Sequence, residues 1–155
     1  MTCAITTSGA TLQKPFRRVV TLGYYDGPTD GILQCDCCGS WFRFALLDWD
    51  PYASDQVVSL SRMSVEAAER LLAVYPEGPF WTFPTKEEEK RAHTEVAAAL
   101  AMATKAEWVM LTPRFLDGPV TIRAVEELDA ERADLTPIEL SDSPARDWYA
   151  LMRNG

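Results

Sequence analysis

The 155-residue chain predicts an α+β fold in a single domain: an antiparallel sheet of about six strands, packed with two main helices and a short C-terminal helix. Three observations carry this expectation. The N-terminal third holds short runs of β-branched and aromatic residues separated by Asp-Gly, Gly-Pro and Asp-Pro breaks. The middle holds two stretches of helical periodicity, each behind a capping residue. A second pair of apolar runs, split by Asp117-Gly118-Pro119, then repeats the hairpin pattern. The length suits one domain with a core large enough to hold without disulfides. A composition of 47% hydrophobic and 25% charged residues is that of a globular protein.

Residues 1–16 carry no strong pattern and are expected to form a loosely ordered arm. Residues 18–25 (RVVTLGYY) read as a strand ended by the turn Asp26-Gly27-Pro28. Residues 32–35 and 41–49 flank the compact Asp36-Cys37-Cys38-Gly39-Ser40 and read as a hairpin. Asp50-Pro51 stops its second arm, and residues 56–61 supply a fourth strand, so the economical pairing is a four-stranded meander.

The first helix begins behind Ser64, with Val65, Ala68, Leu71, Leu72 and Tyr75 at helical spacing and Pro76 as its stop. Residues 76–84 combine three prolines with Phe80, Trp81 and Phe83, an irregular aromatic arm. Thr85 and Glu88 make a capping box for a helix to Thr104, whose inward stripe is Ala92, Val96, Ala99, Leu100 and Ala103. Residues 107–112 and 120–126 form the C-terminal hairpin. Thr136-Pro137-Ile138-Glu139 is a second capping box, and Ser143-Pro144 starts the short last helix carrying Trp148, Leu151 and Met152.

Fifteen basic against 23 acidic residues give a formal charge of −8, which disfavours nucleic acid and anionic membranes as partners. The excess is concentrated: residues 126–147 hold eight acids against Arg132 and Arg146. Glu126, Glu127, Asp129 and Glu131 are therefore the candidate docking surface for a protein with a basic face. The N-terminal part is nearly balanced, and its Lys14, Arg17, Arg18 and Arg43 leave room for an anion there. The longest run without a polar residue, residues 96–103, is far short of the roughly 20 that cross a bilayer. With no apolar leader at the start, the expectation is a cytoplasmic protein without membrane contact.

Cys35-Asp36-Cys37-Cys38-Gly39 is the strongest local motif. Cys-x-x-Cys-Gly between two strands resembles one knuckle of a zinc ribbon, half of a site, where glycine lets backbone amides turn toward thiolate sulfur. A closed zinc site takes four ligands; Cys35, Cys37 and Cys38 supply three, and His93, Cys3 or a second subunit is left to complete the set. The simpler expectation is buried small thiols with no cofactor. A nucleophilic role is disfavoured because neighbouring Asp36 is expected to raise thiol pKa. Asp26, Asp48 and Asp50 lie at strand ends, where with Trp81 of the aromatic arm they are candidates for a ligand pocket. No nucleophile elbow, P-loop or zinc-protease motif is present.

Tyr25-Asp26-Gly27-Pro28-Thr29-Asp30-Gly31, followed by a strand and then a strand ending in Asp48-Trp49-Asp50, resembles the opening of a group of small bacterial proteins with a Y-D-G-P-x-x-G start. The resemblance covers the first third and implies a bacterial source and a strand-rich start. It brings no assigned activity, and the cysteine cluster departs from it. The leading expectation is a non-enzymatic binding or regulatory protein, of the immunity, inhibitor or accessory-subunit kind. Its alternatives are a zinc-binding protein and a small enzyme using the aspartates and the aromatic arm.

Overall fold

Seven strands fill one antiparallel sheet in the computed structural model, which describes residues 3–9, 11–24, 28–50, 52, 54–74, 85–102, 104–142 and 147–154. They are β1 (Thr11–Gln13), β2 (Phe16–Tyr24), β3 (Pro28–Cys35), β4 (Trp41–Asp50), β5 (Asp55–Met63), β6 (Ala106–Pro113) and β7 (Pro119–Ala124), in the spatial order β1-β7-β6-β5-β4-β3-β2. The expected meander is β2 to β5, and the expected hairpin is β6 with β7.

The seventh strand, β1, corrects both the strand count and the expected loose arm. Only three residues long, it is defined by its partner: Thr11, Leu12 and Gln13 pair with Thr121, Val120 and Pro119 of β7. β1 and β2 are the two edges of the sheet, yet only Lys14 and Pro15 separate them along the chain. Three residue steps span at most about 11 Å. The edges must therefore approach one another, and the sheet curls.

The curl explains how one sheet face buries itself. Strand side chains alternate between faces. The inner set Phe16, Leu33, Phe42, Phe44, Val58, Leu60, Trp108, Met110, Val120 and Ile122 forms one core cluster drawn from six strands, which Leu12 of β1 joins. Phe42 and Trp108 meet edge to face at 5.8 Å. At one end Ile5, fully buried, enters this cluster from a single 3-10 turn (Ala4–Thr6).

Two separate clusters cover the outer face. Val20, Ile32, Trp41 and Met63 pack under Ala67, Ala68 and Leu71 of α1 (Val65–Val74) and Ala99 of α2 (Lys86–Ala101). Val57, Ala106 and Val109 pack under Val125 of α3 (Val125–Leu128), Leu140 of α4 (Pro137–Asp142), and Trp148 and Met152 of α5 (Trp148–Asn154). The expected caps are present: Ala67 N–H donates to Ser64 Oγ at 3.1 Å and Glu88 N–H to Thr85 Oγ1 at 3.1 Å. Thr136 and Glu139 cap reciprocally at 3.1 and 3.3 Å.

The strand expected over residues 120–126 ends at Ala124, because the chain turns into α3 and buries Val125 in the outer cluster. Asp26, Trp81 with the rest of residues 75–84, and Ser143-Pro144 lie outside the described residues. Among those described, no helix is long and apolar enough to cross a membrane.

Candidate metal centre

The β3–β4 hairpin builds three quarters of the centre. Cys35 is the last residue of β3, and its N–H donates to Ser40 O at 2.8 Å while Gly39 N–H returns to Cys35 O at 3.0 Å. The loop closes only because Gly39 adopts φ +74°, a conformation that L side chains rarely take. Gln34 Nε2 donates to Gly39 O at 3.1 Å, and Arg17 holds the Asp36 carbonyl at 3.0 Å. Cys37 and Cys38 thus sit exposed on a braced turn above buried Cys35.

The N-terminal segment delivers the fourth sulfur. Cys3 precedes the 3-10 turn, where its carbonyl accepts from Thr6 N–H at 3.1 Å and from Thr6 Oγ1 at 2.9 Å. With Ile5 seated in the inner core, Cys3 Sγ stands 3.4 Å from Cys35 Sγ and 4.0 Å from Cys37 Sγ. Cys35 and Cys37 sulfurs are 3.1 Å apart, and all four sulfurs lie within 4.8 Å of one another. Ala4 N–H points at Cys37 Sγ, 3.4 Å away.

These distances can be compared with metal chemistry. Zn–S bonds of about 2.3 Å in a tetrahedron set sulfurs about 3.8 Å apart. The 3.1–4.8 Å spread brackets that edge. Shifts on the order of 1 Å therefore convert the cluster into four ligands. Burial raises the Cys35 and Cys3 thiols above the usual value, and contacts with neighbouring thiols add to this for Cys35. Cys38 goes the other way, to about 6, because the Ser40 hydroxyl and then the Ser40 amide favour its thiolate; the two side-chain atoms lie 3.2 Å apart. The sequence expectation that Asp36 governs these thiols is corrected by Ser40 for this one. A thiophilic cation would displace the remaining protons and balance four thiolates.

The other candidates stand elsewhere. His93 is on the exposed side of α2 and is not part of the cysteine cluster, so Cys3 and not His93 completes the group of four. Asp48 is committed to backbone: Oδ1 accepts from Trp49 N–H at 2.9 Å and Oδ2 from Tyr149 N–H at 3.3 Å, tying β4 to the start of α5. Asp50 is backbone-paired with Asp55, and Asp26 and Trp81 lie outside the described residues. Of the expected aspartate and aromatic set, only the Asp48 side chain is among those described, and it is spent on the Trp49 and Tyr149 amides.

Of the acidic set, Glu126, Glu127 and Glu131 are exposed. Asp129 is 5% exposed and pairs with Arg132 at 3.0 Å, so it is no docking residue; the Asp-x-x-Arg spacing was the signal for this. Glu127 accepts from Ser8 Oγ at 2.7 Å and faces Arg123 at 3.7 Å. Arg43, expected with Lys14, Arg17 and Arg18 to be open to an anion, is instead buried, and its neighbour in space is Asp30. Searches against family models, curated proteins and solved structures find no match to this chain.

Proposed function

We propose that the chain is a zinc-binding protein whose Cys3, Cys35, Cys37 and Cys38 hold one ion as a structural clasp. The observation that carries this reading is the convergence of all four cysteines, from two segments 32 residues apart, within 4.8 Å. Four protein thiolates close a tetrahedral shell and leave no open position, which is the pattern of structural and not catalytic zinc. All-thiolate sets of four also suit iron, so the metal itself must be measured. A reducing compartment keeps such thiols free for the ion.

The clasp has a definable task. It fixes the first residues onto the β3–β4 turn, and those residues carry Ile5 into the open end of the curled sheet. The ion would supply charge balance and a cross-link, while Gly39, Gln34 and Arg17 hold the turn that presents three of the sulfurs.

Elemental analysis of protein purified without chelator tests the reading. The expected result is one zinc per chain, lost to the same degree in Cys3→Ser and Cys35→Ser. Substoichiometric metal, or Cys3→Ser retaining full zinc, overturns it.

A further inference from the structure

We propose that the same four thiols form a peroxide-responsive switch, in which oxidation joins Cys37 to Cys3 as a disulfide, expels the zinc and leaves the N-terminal segment clasped to the hairpin. The zinc-release half rests on the reading above. The disulfide half stands on the sulfur geometry alone.

Access selects where oxidation starts. Cys35 is fully buried and Cys3 partly so, whereas Cys37 and Cys38 are exposed. A small hydroperoxide therefore meets Cys37 or Cys38 first. Geometry then selects the pair. Cys37 and Cys38 are adjacent, with Cα atoms about 3.8 Å apart, below the window of about 4.4–6.8 Å for a disulfide. Cys38 Sγ also lies within 4.8 Å of the Cys3 and Cys35 sulfurs, but it is turned to Ser40 Oγ, 3.2 Å away. Cys37 has two sulfurs nearby, Cys35 at 3.1 Å and Cys3 at 4.0 Å.

Of these two, Cys35 is held at the end of β3 by bonds at 2.8 and 3.0 Å across the same short turn that contains Cys37. With one residue between them, both sulfurs are fixed to one braced loop, and the torsion of about 90° that a disulfide requires has no hinge to form on. Cys3 comes from a different segment, at the entrance of a three-residue turn, and its side chain rotates without breaking a strand. Closing 4.0 Å to a bond of about 2.05 Å is a movement of roughly 2 Å.

The chemistry balances with one hydrogen peroxide. The Cys37 thiolate attacks a peroxide oxygen, the O–O bond breaks, hydroxide leaves, and Cys37 becomes a sulfenic acid. The Cys3 thiolate attacks that sulfur, the S–S bond forms and a second hydroxide leaves. Two protons convert the hydroxides to water. The two sulfurs give up two electrons, and the two peroxide oxygens accept them. Zinc stays divalent but keeps only Cys35 and Cys38, half of its shell, and dissociates.

The consequence is a protein that loses its ion without losing its closure. Cys3–Cys37 bridges the same two segments as the metal, so Ile5 stays in the inner core. The test treats zinc-loaded protein with hydrogen peroxide, reads released zinc with a chromogenic chelator, and maps disulfides by peptide mass spectrometry. The expected result is one zinc released per chain, a Cys3–Cys37 cross-link that also forms in Cys38→Ser, and recovery with dithiothreitol and zinc. The oxidised metal-free form should also melt above the reduced metal-free form. Any disulfide other than Cys3–Cys37, including one through Cys38, sulfinic acid without a disulfide, or zinc retained by oxidised protein overturns the switch. Were the purified protein to hold no zinc, the zinc reading alone would fail, and the cross-link would still decide the thiol half.

Discussion

Cys3 Sγ lies 3.4 Å from Cys35 Sγ across 32 residues of sequence, and that approach joins the start of the chain to the end of β3. It is possible because the sheet curls and brings its first strand round to its last. The cysteine cluster and the closure of the fold are thus one feature seen from two sides.

Breaking the clasp on the N-terminal side is expected to loosen a defined segment. In Cys3→Ser, amides of residues 4–13 should exchange with solvent many-fold faster than in the wild type, while those of β4 and β5 change little. Hydrogen exchange by mass spectrometry checks this, and uniform protection across both forms would count against the clasp.

Ile5 measures the same closure through packing. It is fully buried among inner-face side chains, so Ile5→Ala is expected to cost ~2–5 kcal/mol in urea unfolding with the zinc content unchanged. A cost below ~1 kcal/mol would mean that the turn is not seated in the core.

Arg43 is 7% exposed, and its Nε, like the oxygen of its cross-strand neighbour Ser61, has no hydrogen-bond partner among the described residues. Asp30 supplies the nearby charge, its carboxyl raised by burial and opposed by Arg43. Arg43→Met or Asp30→Asn alone is expected to cost on the order of 3 kcal/mol, and the double variant much less. The sign with pH follows. A carboxyl whose folded pKa is raised favours the fold when protonated, and that contribution is lost as pH rises through the folded value. Without Arg43 the carboxyl is raised further, so the deficit of Arg43→Met should shrink as pH falls toward the ordinary carboxylate range. Urea unfolding at a series of pH values reads this; a deficit independent of pH would contradict it.

Asp48 anchors α5 and binds no ligand in this account. Asp48→Ala removes the acceptors of the Trp49 and Tyr149 amides, so a loss of ~1 kcal/mol with faster exchange confined to α5 is expected. Destabilisation spread evenly over the sheet would show that the contact is not local.

Much of the fold was legible because its signals are local. Runs of β-branched and aromatic residues mark β2 to β7, Asp117-Gly118-Pro119 marks the break between the last two, and Ser64, Thr85 and Thr136 announce their helices within four residues. β1 was illegible for the opposite reason: Thr11-Leu12-Gln13 has no strength of its own and becomes a strand only against β7, more than 100 residues later. The cysteine motif of β3–β4 was readable as three members of the cluster. The choice of Cys3 over His93 as the fourth depended on the curl, although Ile5, a large aliphatic residue two positions after Cys3, was a usable hint that this segment docks. Asp129 misled because a run of acids reads as surface until its pairing with Arg132 is noticed.

X-ray absorption at the zinc edge of protein purified without chelator tests the central claim most directly. Four sulfur neighbours at about 2.3 Å and no nitrogen or oxygen in the first shell are the predicted result. A shell of nitrogen and oxygen, or one with two sulfurs and solvent, would contradict a clasp built from Cys3, Cys35, Cys37 and Cys38.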